Sequence, residues 1–149
     1  RDFCLSRGLG DVYKRQLWSG ANDTLREKIG EDYPRDTFRH EQDLLVTENG
    51  KTALFAGCAH CGIVNILKSA EDVLGRAPDA VFAGFHLYNP SLGKSEPDEL
   101  VDAVGEKLRG DKVAHYFTGH CTGKEAYERL KRKLGDRLGE MPAGSDFTV

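Results

Sequence analysis

Three histidines carry the chemistry this sequence could do. His60 lies in Gly57-Cys58-Ala59-His60-Cys61-Gly62, His86 in Ala83-Gly84-Phe85-His86-Leu87, and His120 in Thr118-Gly119-His120-Cys121-Thr122-Gly123. Each follows a short apolar run of strand type, and glycines beside each let backbone approach closely. Neutral imidazole nitrogen is a good donor to zinc or iron. One histidine after a strand is usually structural, but three in equivalent positions point to a metal site. Two other readings of the same loops stay open. Cys58, Cys61, His120 and Cys121 are a donor set for a closed structural zinc, which would make the chain a non-catalytic module. Cys58-Ala59-His60-Cys61 also has the spacing of a thioredoxin-like redox pair, without the aromatic and proline context of that motif.

The elements that must position these loops alternate in type. Asp43–Glu48 and Lys51–Ala56 are apolar-rich runs joined by Asn49-Gly50, a dipeptide of two-residue hairpin turns. Ile63, Ile66, Leu67, Ala70 and Leu74 recur at helical spacing over 63–74. Ala80–Ala83 reads as a buried strand, and 84–93 as a loop containing Asn89-Pro90. Ser95 is expected to cap a helix with Glu96 and Pro97 in its first turn and Leu100, Val101, Val104 and Leu108 on its apolar face. Lys112–Thr118 reads as a strand, Lys124–Leu138 as a charged helix with a solvated face, and Asp146–Val149 as a terminal strand. Strand, loop and helix in succession predict an α/β layer architecture. In such folds the polar groups at the carboxyl ends of strands converge on one edge, where ligands bind.

Composition narrows the function classes. The chain has 149 residues, 39% hydrophobic and 30% charged, enough for one domain with a core. A net charge of −3 gives no basic field for nucleic acid, so none is expected as partner. No apolar run is long enough for a membrane span, and no membrane partner is expected. Four cysteines, two of them beside a histidine, suit a reducing, cytoplasmic compartment better than a disulfide framework. Residues 1–16 show no period of 2 or 3.6, and Asp11–Gln16 resemble one reading frame of a transposase adapter from sequencing libraries. They are expected to be foreign or disordered, with the native domain over 17–149.

Four blocks in order carry a family likeness: Phe38-Arg39-His40-Glu41-Gln42, the stretch from Gly57 through Leu67, Ala83–Leu87, and Thr118–Gly123. Together they resemble the metallo-β-lactamase-fold hydrolases, in the branch of 7,8-dihydropterin-6-yl-methyl-4-(β-D-ribofuranosyl)aminobenzene 5′-phosphate synthase-like proteins. The likeness spans about 17–149 and implies the C-terminal half of a four-layer αββα sandwich. It implies that His60 and His120 are metal ligands. His86 falls where most of the superfamily has a metal-bridging Asp, so it is either a ligand or a substrate contact. His40 and Glu41 fall in a branch motif, which suggests substrate binding. The resemblance further implies two divalent ions, zinc with iron or manganese as alternatives. They would act by metal-activated hydroxide or Lewis-acid chemistry on a small, possibly phosphorylated molecule. Thr118, Thr122 or a carbonyl could accept from the second nitrogen of each ring.

One departure counts. The family's His-x-His-x-Asp-His motif is absent, and no His-x-His occurs at all. The missing partner is then the N-terminal half of the same fold, and this chain alone is expected to be unstable, aggregation-prone or inactive.

Overall fold

The computed structural model describes residues 17–149 and the backbone of 2–7. Six strands form one sheet in the order β1-β2-β3-β4-β7-β8. β1 (Asp2–Arg7), β2 (Gln42–Glu48) and β3 (Lys51–Phe55) are antiparallel neighbours. β4 (Ala80–Phe82), β7 (His115–Thr118) and β8 (Leu138–Glu140) then add in parallel to β3. A two-stranded ribbon, β5 (Tyr88–Asn89) with β6 (Lys94–Ser95), lies apart from the sheet. The crossovers between parallel strands are α1 (Ile63–Leu74), α2 (Asp98–Gly110) and α3 (Lys124–Leu134). Neighbouring strands joined in sequence by right-handed crossovers put their helices on one face.

The register shows what that face buries. Leu45, Leu54, Val81, Tyr116 and Leu138 are successive cross-strand partners from β2 to β8, and all are buried. Ile63, Ile66, Leu67 and Ala70 of α1, Val101, Val104 and Leu108 of α2, and Ala126, Leu130 and Leu134 of α3 join them in one core. Alternation then sends Phe55, Phe82 and Phe117, also in register, to the opposite face. Their rings stack at 4.9 and 4.8 Å. No helix among the described residues covers this row; Phe147 of the C-terminal tail lies on Phe82 and Phe117, and Phe55 stays 40% exposed.

The hairpin turn is built as expected, with Asn49 and Gly50 at φ 52° and 79°. Elsewhere the expected bounds shift. The last helix stops at Leu134, four residues early, because Gly135 takes φ 57° and ψ −134°, which no helix continues through. Leu138 is thereby freed to pair with Tyr116 in β8. The run Asp146–Val149 forms no strand, because β8 has taken the edge and Phe147 packs on the sheet's face. Pro97, not Ser95, is the residue at the start of α2, and the Ser95 hydroxyl bonds Glu125 Oε2 instead. The expected loop 84–93 contains β5. Of the segment 1–16, residues 2–7 pair along β2, and the adapter-like stretch Asp11–Gln16 lies outside the described residues.

Candidate metal centre

Because β3, β4 and β7 run parallel, their carboxyl ends share one edge, and the loops bearing His60, His86 and His120 leave from it. The loops are tied to one another. Gly84 N donates to Gly57 O at 2.8 Å, Ala83 N to Phe117 O at 3.0 Å, and Phe85 N to Thr122 Oγ1 at 2.9 Å. Thr118 Oγ1 and Thr122 Oγ1 lie 2.6 Å apart, so the two threonines serve the loop backbone and each other rather than an imidazole. Cα hydrogens at Gly84 face Cys121 so closely that a methyl there would lie 2.6 Å from its sulfur.

His60 and His86 come together, with ring centroids 4.1 Å apart. Phe38 stacks on His60 at 4.6 Å with the rings within 2° of parallel. Backbone strain gathers here: Phe38, Ala59, His86 and His120 all have φ between 47° and 55°. Non-glycine residues adopt such values at a cost that only surrounding structure sustains.

Two segments upstream of the sheet hold the pair. The Glu41 carboxylate accepts from His60 N and Cys61 N, both at 2.7 Å, and so pins the loop before α1. Asn22, 0% exposed, donates from Nδ2 to His60 O at 2.8 Å and sets Oδ1 3.0 Å from His60 Nδ1. Ser19 Oγ donates to His86 O at 2.7 Å, and Ala21 N donates to Glu96 Oε1 at 2.6 Å, which fixes the turn Gly20–Thr24 over both rings. Glu41, expected to touch substrate, thus spends both oxygens on loop amides. His40 stays largely exposed, its Nδ1 3.8 Å from Asp36 Oδ1.

Both rings are neutral near pH 7. Burial lowers the His60 pKa, against the pull of the Glu41 and Asp36 charges. Burial also pushes His86 down to about 4, with the neighbouring His60 adding to it. His86 is 6% exposed; neither ring nitrogen makes a hydrogen bond of good geometry among the described residues, though the Ala21 backbone lies near enough to pull its pKa partly back up. A buried polar group left unpaired is costly, so two orphaned nitrogens in one ring call for a missing partner. A metal ion fits that need, because it takes the lone pair of a neutral imidazole.

His120 is placed differently. It is exposed, at the start of a tight turn His120–Thr122, beside a hollow of about 250 Å³ lined by Gly119, Gly123, Lys124 and Tyr127. Its ring adds the last and smallest push that lowers the His86 pKa. Among the described residues no group of three or more His, Cys, Asp or Glu is gathered to hold a metal ion. That holds for the three histidines and for the cysteine set alike. Cys61 Sγ donates to Phe38 O and Cys121 Sγ to Cys58 O, each at 3.6 Å. Burial pushes the Cys121 thiol up to about 12, so it stays protonated.

Asn22 and Ser19 escaped the sequence reading, and Phe38 entered it only as the first residue of a family block, with no role assigned. Asn22 and His60 are 38 positions apart, and no spacing rule joins them; the one local signal was Ser19 ahead of a short turn, where its side chain accepts from Ala21 N.

The arrangement of three helices on one face of a sheet that turns from antiparallel to parallel is shared with a solved metal-dependent hydrolase of the beta-lactamase superfamily. The solved hydrolase of that superfamily, Tm1679, superimposes with a TM-score of 0.72 over 97% of this chain and 57% of its own, at 22% identity. In sequence the chain is similar to the 7,8-dihydropterin-6-methyl-4-(beta-D-ribofuranosyl)-aminobenzene-5'-phosphate synthase of Methanocaldococcus jannaschii. The two are 30% identical over 101 residues, 67% of this chain. The chain spans 32% of that relative's length. No protein-family model matches it. Among the described residues no helix is long and apolar enough to cross a membrane.

Proposed function

We propose that this chain supplies one wall of the active site of a metal-dependent hydrolase, related to the dihydropterin-linked phosphate synthase, acting on a small phosphorylated molecule. The observation that carries the reading is His86: buried, neutral, without a well-formed hydrogen bond at either nitrogen, and 4.1 Å from His60. His60 and His86 would hold a divalent ion, taken as zinc, with iron or manganese as alternatives that imidazole also serves. His120 would complete or face the site from the β7 loop. When bound, such an ion supplies Lewis-acid polarisation of the substrate and lowers the pKa of water. The chain's own part is to keep both rings neutral by burial and fixed by the 19–22 turn and Glu41. The hollow beside His120, lined by Lys124 at the start of α3 and by Tyr127, Glu140 and Met141, would take part of the substrate. His40 and Glu41 act at one remove, Glu41 through the His60 loop.

The rest of the site would come from further chain folded over the sheet face opposite the helices, beside the exposed Phe55. That the chain spans 57% of the solved hydrolase supports this. No nucleic-acid or membrane partner enters the reading. The Cys58 and Cys121 thiols favour a cytoplasmic setting.

Zinc affinity measured by chelator competition tests the proposal. His86→Ala and His60→Ala should each weaken zinc binding at least tenfold, and the triple variant Cys58→Ser, Cys61→Ser, Cys121→Ser should leave it unchanged. Loss of binding in the triple variant with the histidine variants unaffected would move the assignment to a closed structural zinc.

A further inference from the structure

The geometry points to Asn22 as the residue that sets the tautomer of His60 and so presents its Nε2 lone pair to the edge of the sheet. This rests on the reading of His60 as a metal ligand. The argument uses hydrogen-bond polarity alone. His60 O is a carbonyl and can only accept, so the group of Asn22 lying 2.8 Å from it must be the Nδ2 amide. That fixes the amide's orientation and turns Oδ1, which can only accept, toward His60 Nδ1 at 3.0 Å. Nδ1 must therefore carry the proton. In a neutral imidazole the other nitrogen, Nε2, then holds the lone pair.

The clamp is rigid. Asn22 is fully buried in the short turn Gly20–Thr24 and reaches two atoms of one residue, so backbone and ring of His60 are held in a single register. The turn itself is anchored by Ala21 N on Glu96 Oε1 and by Ser19 on His86 O. Phe38 fixes the plane of the His60 ring by stacking. Ligating histidines commonly rely on such an acceptor at the second nitrogen, and its loss typically weakens metal binding about 10–100-fold. Asn22 is thus a positioning residue. An amide also suits the place better than a carboxylate would: it accepts from the ring without adding a negative charge that would hold the imidazole protonated.

The test is nitrogen NMR of the histidine rings in the 149-residue chain, freed of metal by chelator, at pH 8. The expected result is His60 as the Nδ1–H form. Asn22→Leu should convert it to a mixture with the Nε2–H form and weaken zinc binding about tenfold or more. Should Asn22→Leu fail to fold, Asn22→Ser, too short to reach both atoms, takes its place with the same expected shift. A wild-type His60 in the Nε2–H form would overturn the inference, as would an unchanged tautomer in the leucine or serine variant. Zinc that leaves the Nε2 resonance unmoved while the tautomer follows Asn22 would sink the metal reading and leave the role of Asn22 standing.

Discussion

The two sides of the strand-end edge are built to different standards. On one side His60 and His86 are packed ring against ring, braced by Asn22, Ser19 and Glu41 and stacked on Phe38. On the other, His120 stands exposed at a turn whose hydrogen bonds serve backbone rather than the ring. The braced side is preorganised by residues 17–41, which contribute no strand to the sheet. The open side waits for whatever fills the hollow beside it. Rigid placement of donor atoms is what a metal site requires, and only the first side has it within the described residues.

The largest effect should come from the seam joining the two sides. Gly84→Ala puts a methyl 2.6 Å from Cys121 Sγ and 3.4 Å from Gly57 O, forcing the three histidine loops apart. Overpacking of this kind costs about 1–3 kcal/mol, and in a site with a backbone wall the upper end applies. Urea denaturation measures it.

Glu41→Ala separates the sides. It strips two charge-assisted hydrogen bonds from the His60 loop, and about 3 kcal/mol of stability should go with them. His120→Ala, on the open side, should shift stability by no more than about 0.5 kcal/mol. Equal losses in the two variants would erase the contrast.

Asp43, next to Glu41 on β2, gives the braced side a pH signature. Burial raises its pKa to about 7, with the Glu41 charge adding, and its Oδ1 is buried without a partner among the described residues. The native state therefore holds this proton more tightly than the unfolded chain does. Its contribution is fully present below pH 3.8 and is lost as pH rises through about 7. Asp43→Asn should flatten that fall, so the variant gains on the wild type between pH 5 and pH 8 in melting temperature.

A modest effect on stability belongs to the sheet face opposite the helices. Phe55→Ser removes a ring that is 40% exposed and should cost about 1 kcal/mol or less, while lowering aggregation measured by light scattering.

Much of the frame was legible because its signals are local. Asn49-Gly50 dictates its turn, and the spacing of Ile63, Ile66, Leu67 and Ala70 dictates the buried stripe of α1. The ordering of the histidines followed from strand ends. The end of α3 at Leu134 was also in the residues, since Gly135 is a helix stop that the charged run around it concealed. The bracing was not legible. Asn22 meets His60, Glu41 meets the same loop, and Ser19 meets His86 only after the chain has closed over 38, 19 and 67 positions. Such contacts depend on tertiary placement, which no period of 2 or 3.6 encodes.

The central claim is that His86 is buried as a metal ligand. Adding zinc to the metal-free chain while following the ring nitrogens of His86 addresses it most directly. One His86 nitrogen should move to the shift of a metal-bound imidazole together with Nε2 of His60. Saturation with zinc that leaves both nitrogens of His86 unmoved would contradict the account.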